Sequence, residues 1–128
     1  MIDVRKQVDY WRTSSDEDFA AAESLLEKGH LRQSLFFAHL AVEKMLKAHV
    51  VRKTGDIPPR IHDLVRLAHI ADVSISKEQK DLLLEFGPYH LEGRYPDSQQ
   101  LPLTSVFVKK EFARAKEMLE WLKAQLPT

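Results

Sequence analysis

The chain has 128 residues, 44% of them hydrophobic, and its 19 basic and 19 acidic residues cancel to a formal net charge of zero. This length predicts a single domain over residues 1–128, its hydrophobic content excludes disorder, and its zero net charge excludes a domain that is strongly basic as a whole. There is no cysteine, which excludes disulfides, thiolate metal sites and cysteine nucleophiles.

The first predicted helix covers about residues 3–28 and ends before Gly29, a residue type that commonly follows a helix C-terminus. Its apolar face also contains Ser15 and Asp18. One alternative therefore starts a second helix at Ser15, with Asp18 in the third helical position of a capping box. We favour one continuous helix, because the apolar stripe crosses Ser15 without a change of phase. The stripe consists of Val4, Val8, Trp11, Ser15, Phe19, Ala22, Leu25 and Leu26.

The second predicted helix, residues 31–53, is the most apolar, and its apolar residues lie on more than one side. Such a helix is either central in the fold or shared with a partner. Residues 55–59 end it, because the paired prolines cannot continue a helix. One face carries Leu31, Leu35, Ala38, Val42, Met45, Leu46 and His49. On the second face we expect Phe36, Leu40 and Val51 to form a homodimer interface, because a monomer would leave them in water.

A short third helix is predicted at about residues 61–70. Ser76 and Gln79 have the spacing of a capping box and predict the start of a fourth helix. Gly87 and Pro88 should kink or end that helix, because proline has no N–H to donate to the preceding turn. The inward-facing residues of these two helices are Ile61, Leu64, Val65, Ala68, Leu82, Phe86 and Tyr89.

After a predicted loop at 97–102, Thr104 or Ser105 should cap a last helix. Its stripe consists of Val108, Phe112, Ala115, Leu119, Leu122 and Leu126. No segment alternates with the period of a strand, so we predict an all-α fold, an antiparallel up-and-down four-helix bundle with one extra short helix. No apolar run approaches the ~18 residues of a membrane span, and the polar start is unlike a secretory signal. We therefore expect a cytoplasmic protein without membrane contacts.

Charged residues on the second helix predict a polar cluster. Glu43 and Lys47 stand four residues apart, in the order that favours an ion pair on a helix. Their apolar surroundings favour burial, and a buried ion pair needs further partners because removing charges from water is costly. We predict that Asp18 and His62 join Glu43 and Lys47 in one cluster inside the bundle.

His39 and Glu43 are also four residues apart, a spacing that can share a metal ion or simply make a hydrogen bond. A metal site needs three or four ligands, and we predict neither a metal nor a cofactor. Glycine-rich nucleotide loops, the HExxH zinc motif and the glycine-framed serine of hydrolases are all missing from the sequence.

Arg94 and Tyr95, between Gly93 and Pro96, have two interpretations. The arginine can bind the unsatisfied carbonyls at the end of the fourth helix. Alternatively, a guanidinium beside a tyrosine ring suits the recognition of a phosphate and a base. We predict that a nucleotide or a partner contacts Arg94, Tyr95, Lys44, Lys47 and His62.

Four sequence elements in order resemble the HEPN family, the "higher eukaryotes and prokaryotes nucleotide-binding" domain. The elements are Asp18-Phe19 with Ala22, the segment AVEKMLKA at 41–48, the segment PRIHDL at 59–64, and Tyr89 followed by RYPD at 94–97. The resemblance extends from about residue 8 to residue 126.

The resemblance implies a helical bundle that forms a close homodimer. Prokaryotic members of the family often occur beside a separate minimal nucleotidyltransferase, and many such pairs look like toxin–antitoxin modules. Other branches are metal-independent ribonucleases, which carry an arginine, four to six residues and then a histidine on a late helix at the dimer cleft.

Arg32 and His39 have the ribonuclease spacing, but they lie on the second helix, and no histidine follows Arg94. A chain with this many arginines and histidines is expected to contain about one such pair by chance. Three hypotheses follow: a non-catalytic accessory protein that works with a nucleotidyltransferase or a nucleotide, a ribonuclease that uses Arg32 with His39 or His62, and a purely structural adaptor dimer. We favour the first of the three, and with it a homodimer.

Overall fold

The computed structural model describes residues 2–89 and 103–126, and the structural statements that follow refer to these two ranges. They contain five α-helices and no β-strand. The helices are α1 (Val4–Glu27), α2 (Leu31–Thr54), α3 (Leu64–Ile70), α4 (Lys77–Phe86) and α5 (Ser105–Ala124). The predicted all-α class is confirmed.

Helix α1 is continuous through Ser15. The Asp3 side chain caps its start by accepting a hydrogen bond from the backbone N–H of Lys6 at 3.1 Å. Ser15 is buried on the apolar face, where its hydroxyl donates to the carbonyl of Ala41 at 2.6 Å. The serine thus links α1 to α2 instead of capping a new helix, so the prediction of one long helix is confirmed and the alternative break at Ser15 is wrong.

Helix α2 is the centre of the fold, and fourteen of its 24 residues are buried. Gly29 and Gly55 bound it, with φ angles of +80° and +71° that residues with a Cβ rarely adopt. The tight turn at Gly29 makes α1 antiparallel to α2. Val51 is completely buried within the single chain. Its predicted place in a homodimer interface is therefore wrong, because the neighbouring elements already cover the second face at that level.

The starts of α3 and α4 show how local sequence places helices. The Asp63 carboxylate accepts from the N–H of Arg66 at 3.1 Å, so α3 begins just after Asp63 rather than at the predicted Ile61. The Ser76 hydroxyl accepts from the N–H of Gln79 at 3.1 Å, and the Gln79 side chain accepts from the N–H of Ser76 at 2.8 Å. The predicted capping box at the start of α4 is confirmed.

Contacts along α2 show the direction of α4. Lys53, near the end of α2, pairs with Asp72 in the turn after α3 at 3.3 Å. His39, in the first half of α2, bonds the carbonyl of Phe86 at the end of α4 at 2.9 Å. The chain therefore runs back along α2 between Asp72 and Phe86, which makes α4 antiparallel to α2.

Helix α5 completes the bundle and runs parallel to α2. Thr104 caps its start by accepting from the N–H of Phe107 at 3.1 Å. Near its end, the carbonyl of Leu122 accepts from His49, close to the end of α2, at 2.8 Å. Helices α1, α2, α4 and α5 thus alternate in direction, as predicted for an up-and-down bundle, and α3 is the extra short helix. None of the helices described is both long and apolar enough to cross a membrane.

Candidate functional site

The Glu43 carboxylate is the centre of a buried polar cluster, and its side chain is only 4% exposed. Lys47 donates to one carboxylate oxygen at 2.9 Å, and Nδ1 of His62 donates to the other at 2.9 Å. Nε2 of His39 lies 3.3 Å from the same oxygen as His62. The structure therefore brings together three of the four predicted members, Glu43, Lys47 and His62, and adds His39.

Two local features assemble this cluster. His39 and Lys47 lie one helical turn before and after Glu43, so the three side chains share one face of α2. His62 comes from the segment between α2 and α3. Gly55 ends α2 in a left-handed conformation and Pro58 is buried, so the chain turns back along α2 and brings His62 to the carboxylate.

The cluster keeps Glu43 ionised. Burial by itself raises the pKa of a carboxyl group, but hydrogen bonds from His39, Lys47 and His62 and the charge of Lys47 lower it more. The net result is a fall in the pKa of Glu43 from 4.5 to about 2. The Lys47 ammonium also lies 5.4 Å from the centre of the Trp11 ring, a distance that suits a cation–π contact.

His39 is enclosed and has no exposed surface. Its Nδ1 donates to the carbonyl of Phe86 at 2.9 Å, and its Nε2 faces Glu43. The His39 and Glu43 side chains, four residues apart on α2, approach to 3.3 Å. A ring with no exposed surface cannot approach a substrate phosphate, so the hypothesis that His39 acts with Arg32 as a ribonuclease pair has no geometric support.

Asp18 does not join the Glu43 cluster, and that part of the prediction is wrong. Its carboxylate pairs with Lys44 at 2.7 Å, and Lys44 also donates to the Ser14 hydroxyl at 2.8 Å. The antiparallel packing of α1 on α2 places Asp18 opposite Lys44. Glu43 is rotated by about 100° around α2 from that position and faces the segment before α3 instead.

Replacing Asp18 with asparagine should therefore lower the free energy of unfolding by only about 1 kcal/mol. The Asp18 and Lys44 side chains are 17% and 24% exposed, and Lys44 keeps its bond to the Ser14 hydroxyl and its access to solvent when its partner is lost. Urea denaturation measures the change. A loss of about 3 kcal/mol or more would instead mean that Asp18 belongs to a buried network.

The predicted nucleotide or partner contacts differ in accessibility. Lys47 is 6% exposed and is engaged by Glu43 and Trp11, so it is the least accessible of the residues predicted to contact a ligand that the structure describes. Lys44 is partly exposed and already bonded, whereas the His62 side chain is 45% exposed. Arg94 and Tyr95 lie outside the described residues.

Sequence reasoning missed a second buried carboxylate, that of Glu111 on α5. Arg114 donates to Glu111 at 3.0 Å and also pairs with Glu85 of α4, and the Tyr89 hydroxyl lies 3.4 Å from Glu111. Burial and the charge of Glu85 raise the pKa of Glu111, against the lowering effect of Arg114. The available signal was the position of Glu111 beside Phe112, on the buried side of the predicted helix.

Within 2–89 and 103–126, no group of three or more histidine, aspartate or glutamate side chains could hold a metal ion. The polar clusters of the described chain are therefore built from ion pairs and hydrogen bonds. In the Glu43 cluster, His62 is the member that solvent can reach.

Comparison with known proteins gives one family and two similar structures. The family model of the HEPN domain matches residues 8–125. TT1696 from Thermus thermophilus superposes with a TM-score of 0.82 at 18% identity, over 94% of this chain and 98% of that one. ST0689, described as an archaeal HEPN homologue, superposes with a TM-score of 0.72 at 20% identity, over 92% and 96%. No curated protein sequence matches significantly.

Proposed function

The chain belongs to the HEPN domain family, and from this premise we propose that it is a non-catalytic binding protein, a homodimer that acts with a minimal nucleotidyltransferase. Nucleotide or substrate binding and a place in a toxin–antitoxin pair are parts of this proposal. The family resemblance is the support for a nucleotidyltransferase partner. The positions of the histidines in the fold are the support for a non-catalytic role.

The enclosure of His39 is the observation that carries the non-catalytic role. A general acid or base must come within hydrogen-bond reach of the atom to which it transfers a proton. His39 is the only histidine that follows an arginine at the ribonuclease spacing, and both of its ring nitrogens face protein groups in the interior. His62 is accessible, but no arginine precedes it at that spacing.

The partly exposed apolar residues of α2 support the homodimer. Phe36 and Leu40 keep accessible surface on a helix that is otherwise largely buried. Covering such surface with a second copy contributes about 25 cal/mol for each Å² of apolar area. With Val51 excluded, the proposed interface centres on the first half of α2.

The proposed nucleotide contacts are Arg94 and Tyr95, on the grounds of their residue chemistry, together with His62. A guanidinium binds a phosphate through two parallel hydrogen bonds, and a tyrosine ring stacks on a base. Replacing Arg94 with lysine keeps the charge but removes the paired geometry, so it should weaken nucleotide binding at unchanged thermal stability.

The test of the proposed function combines oligomeric state and nuclease activity. We expect sedimentation to give a dimer, and we expect Leu40→Asp to give a folded monomer, because a buried interface does not tolerate an unpaired carboxylate. Leu84→Asp is the matched control, since Leu84 is 56% exposed and belongs to α4 rather than α2. We also expect that the purified protein does not cleave RNA in a buffer that contains a metal chelator.

Two results would overturn the proposal. One is a wild-type protein that sediments as a 14.8 kDa monomer at micromolar concentration. The other is metal-independent RNA cleavage that His39→Gln or His62→Gln abolishes while the variant keeps its helical circular dichroism. Co-purification of a small nucleotidyltransferase with the protein is the expected positive result.

A further inference from the structure

A shallow groove runs between α4 and α5, on a side of the bundle that the Glu43 cluster does not use. Its floor is apolar and consists of Leu82 from α4 with Met118 and Trp121 from α5. Leu82 and Met118 are almost completely buried, whereas Trp121 packs against the core and keeps part of its ring surface accessible. The groove has a volume of about 220 Å³.

The rims of this groove are acidic. Glu78 of α4 and Glu117 of α5 are exposed, and neither makes an ion pair or hydrogen bond among the described residues. Arg114 stands at one end, but Glu85 and Glu111 both bind it, so two carboxylates already surround this one cation. An incoming positive charge would therefore meet a negative potential along an apolar floor.

A second groove, between α1 and α5, also has an apolar floor, but lysines offset more of the acids at its rim. It has a similar volume of about 240 Å³ and a similar apolar floor that includes Phe19 and Leu119. Its rim carries Asp16, Glu23 and Glu120 against Lys116 and Lys123, and Asp16 pairs with Lys123 at 2.9 Å, so one acid is in excess. At the α4–α5 groove both exposed rim acids, Glu78 and Glu117, remain without a cation, because Glu85 and Glu111 bind the one cation that lines it, Arg114.

The size of the α4–α5 groove indicates the kind of occupant. Pockets for cofactors and other small organic ligands usually have about 300–1,000 Å³. A smaller groove with an open rim suits one long side chain from a protein surface. Arginine and lysine have apolar stems that pack on apolar surface and charged heads that reach the rim, and both interact favourably with the face of a tryptophan ring.

We propose that the α4–α5 groove docks a basic amphipathic segment of a partner protein. An arginine or lysine stem of that segment lies along Met118 and Trp121, and its charged head lies between Glu78 and Glu117. Arginine and aromatic residues are enriched among the side chains that dominate protein interfaces. This inference deepens the proposed function and rests on its statement that the protein is a binding subunit.

A short fluorescein-labelled amphipathic helical peptide of leucine and arginine is the probe, and its anisotropy is followed as the full-length protein is added. We expect saturable binding that weakens about tenfold in the double variant Glu78→Gln, Glu117→Gln. The matched control is the double variant Glu23→Gln, Glu120→Gln, which changes the net charge equally but lies at the α1–α5 groove. Its affinity should stay within about twofold of the wild type.

Trp121→Phe tests the aromatic floor separately and should weaken binding less than loss of the two carboxylates, because phenylalanine keeps a smaller π surface. Equal losses in both double variants would overturn the proposal by showing unspecific attraction. Equal binding of a peptide with glutamate in place of arginine, no binding at all, or equally tight binding of free N-acetylarginine amide would also overturn it. If the double groove variant still assembles normally with the nucleotidyltransferase, the groove assignment fails while the proposed function stands.

Discussion

Replacing Glu43 with alanine is expected to lower the free energy of unfolding by about 3–5 kcal/mol. The variant leaves Lys47 buried without its counter-ion and takes the shared acceptor from His39 and His62. Urea denaturation at neutral pH measures the loss. Glu23→Ala is the control, because Glu23 is exposed, and its effect should stay within about 0.5 kcal/mol.

A second variant separates the cost of an unpaired charge from the cost of a lost side chain. Glu43→Leu combined with Lys47→Met removes both ions and keeps apolar volume, and such replacements are often neutral or stabilising. We expect the double variant to be more stable than Glu43→Ala. If Glu43→Ala lowered the free energy of unfolding by less than about 1 kcal/mol, the interpretation of the cluster as a buried ion-pair network would be contradicted.

The stabilising contribution of Glu43 should disappear as the solution becomes acidic. In the folded protein the pKa of Glu43 is about 2, well below its usual 4.5, so the unfolded chain takes up a proton first as the pH falls. The contribution is complete above about pH 4.5 and is lost as the pH falls towards 2. At about 1.4 kcal/mol for each pKa unit, the shift corresponds to roughly 3 kcal/mol.

The measurement is the stability difference between wild type and Glu43→Gln, followed from about pH 6 to pH 2. The difference should shrink steadily below about pH 4.5, because the wild type alone loses the charge of Glu43. Glu111→Gln is an internal control, because its stability difference from wild type should change with pH in the opposite direction. The pKa of Glu111 is raised, so the advantage of wild type over this variant should increase as the pH falls. If the stabilities of wild type and Glu43→Gln changed in parallel with pH, the lowered pKa of Glu43 would be contradicted.

The cluster also bears on function, because it ties three parts of the molecule together. Through His39 it holds the end of α4, through His62 it holds the segment before α3, and all of these bonds start from α2. A rigid scaffold of this kind positions accessible groups such as the exposed edge of His62. His39, which the ribonuclease hypothesis pairs with Arg32, thus links α2 to the end of α4.

The helices themselves were predictable because their signals are local. A capping box, a left-handed glycine or a proline pair acts within a few residues, and such signals placed the starts and ends of α1, α2 and α4 closely. The pairing of Glu43 with Lys47 was predictable for the same reason, since residues four apart on a helix are always neighbours. The family resemblance also rests on local motifs, and the family is confirmed.

Only the tertiary structure decided which side chains meet across helices. Periodicity shows which residues share a face of one helix, but the rotation of α1 about α2 decides that Asp18 meets Lys44 rather than Glu43. Burial of Val51 likewise depends on which neighbours cover α2 at that level. The sequence by itself determined the helices, the central ion pair and the family, because each depends on short stretches of chain. The tertiary structure alone enclosed His39, because its partner Phe86 lies 47 residues away along the chain.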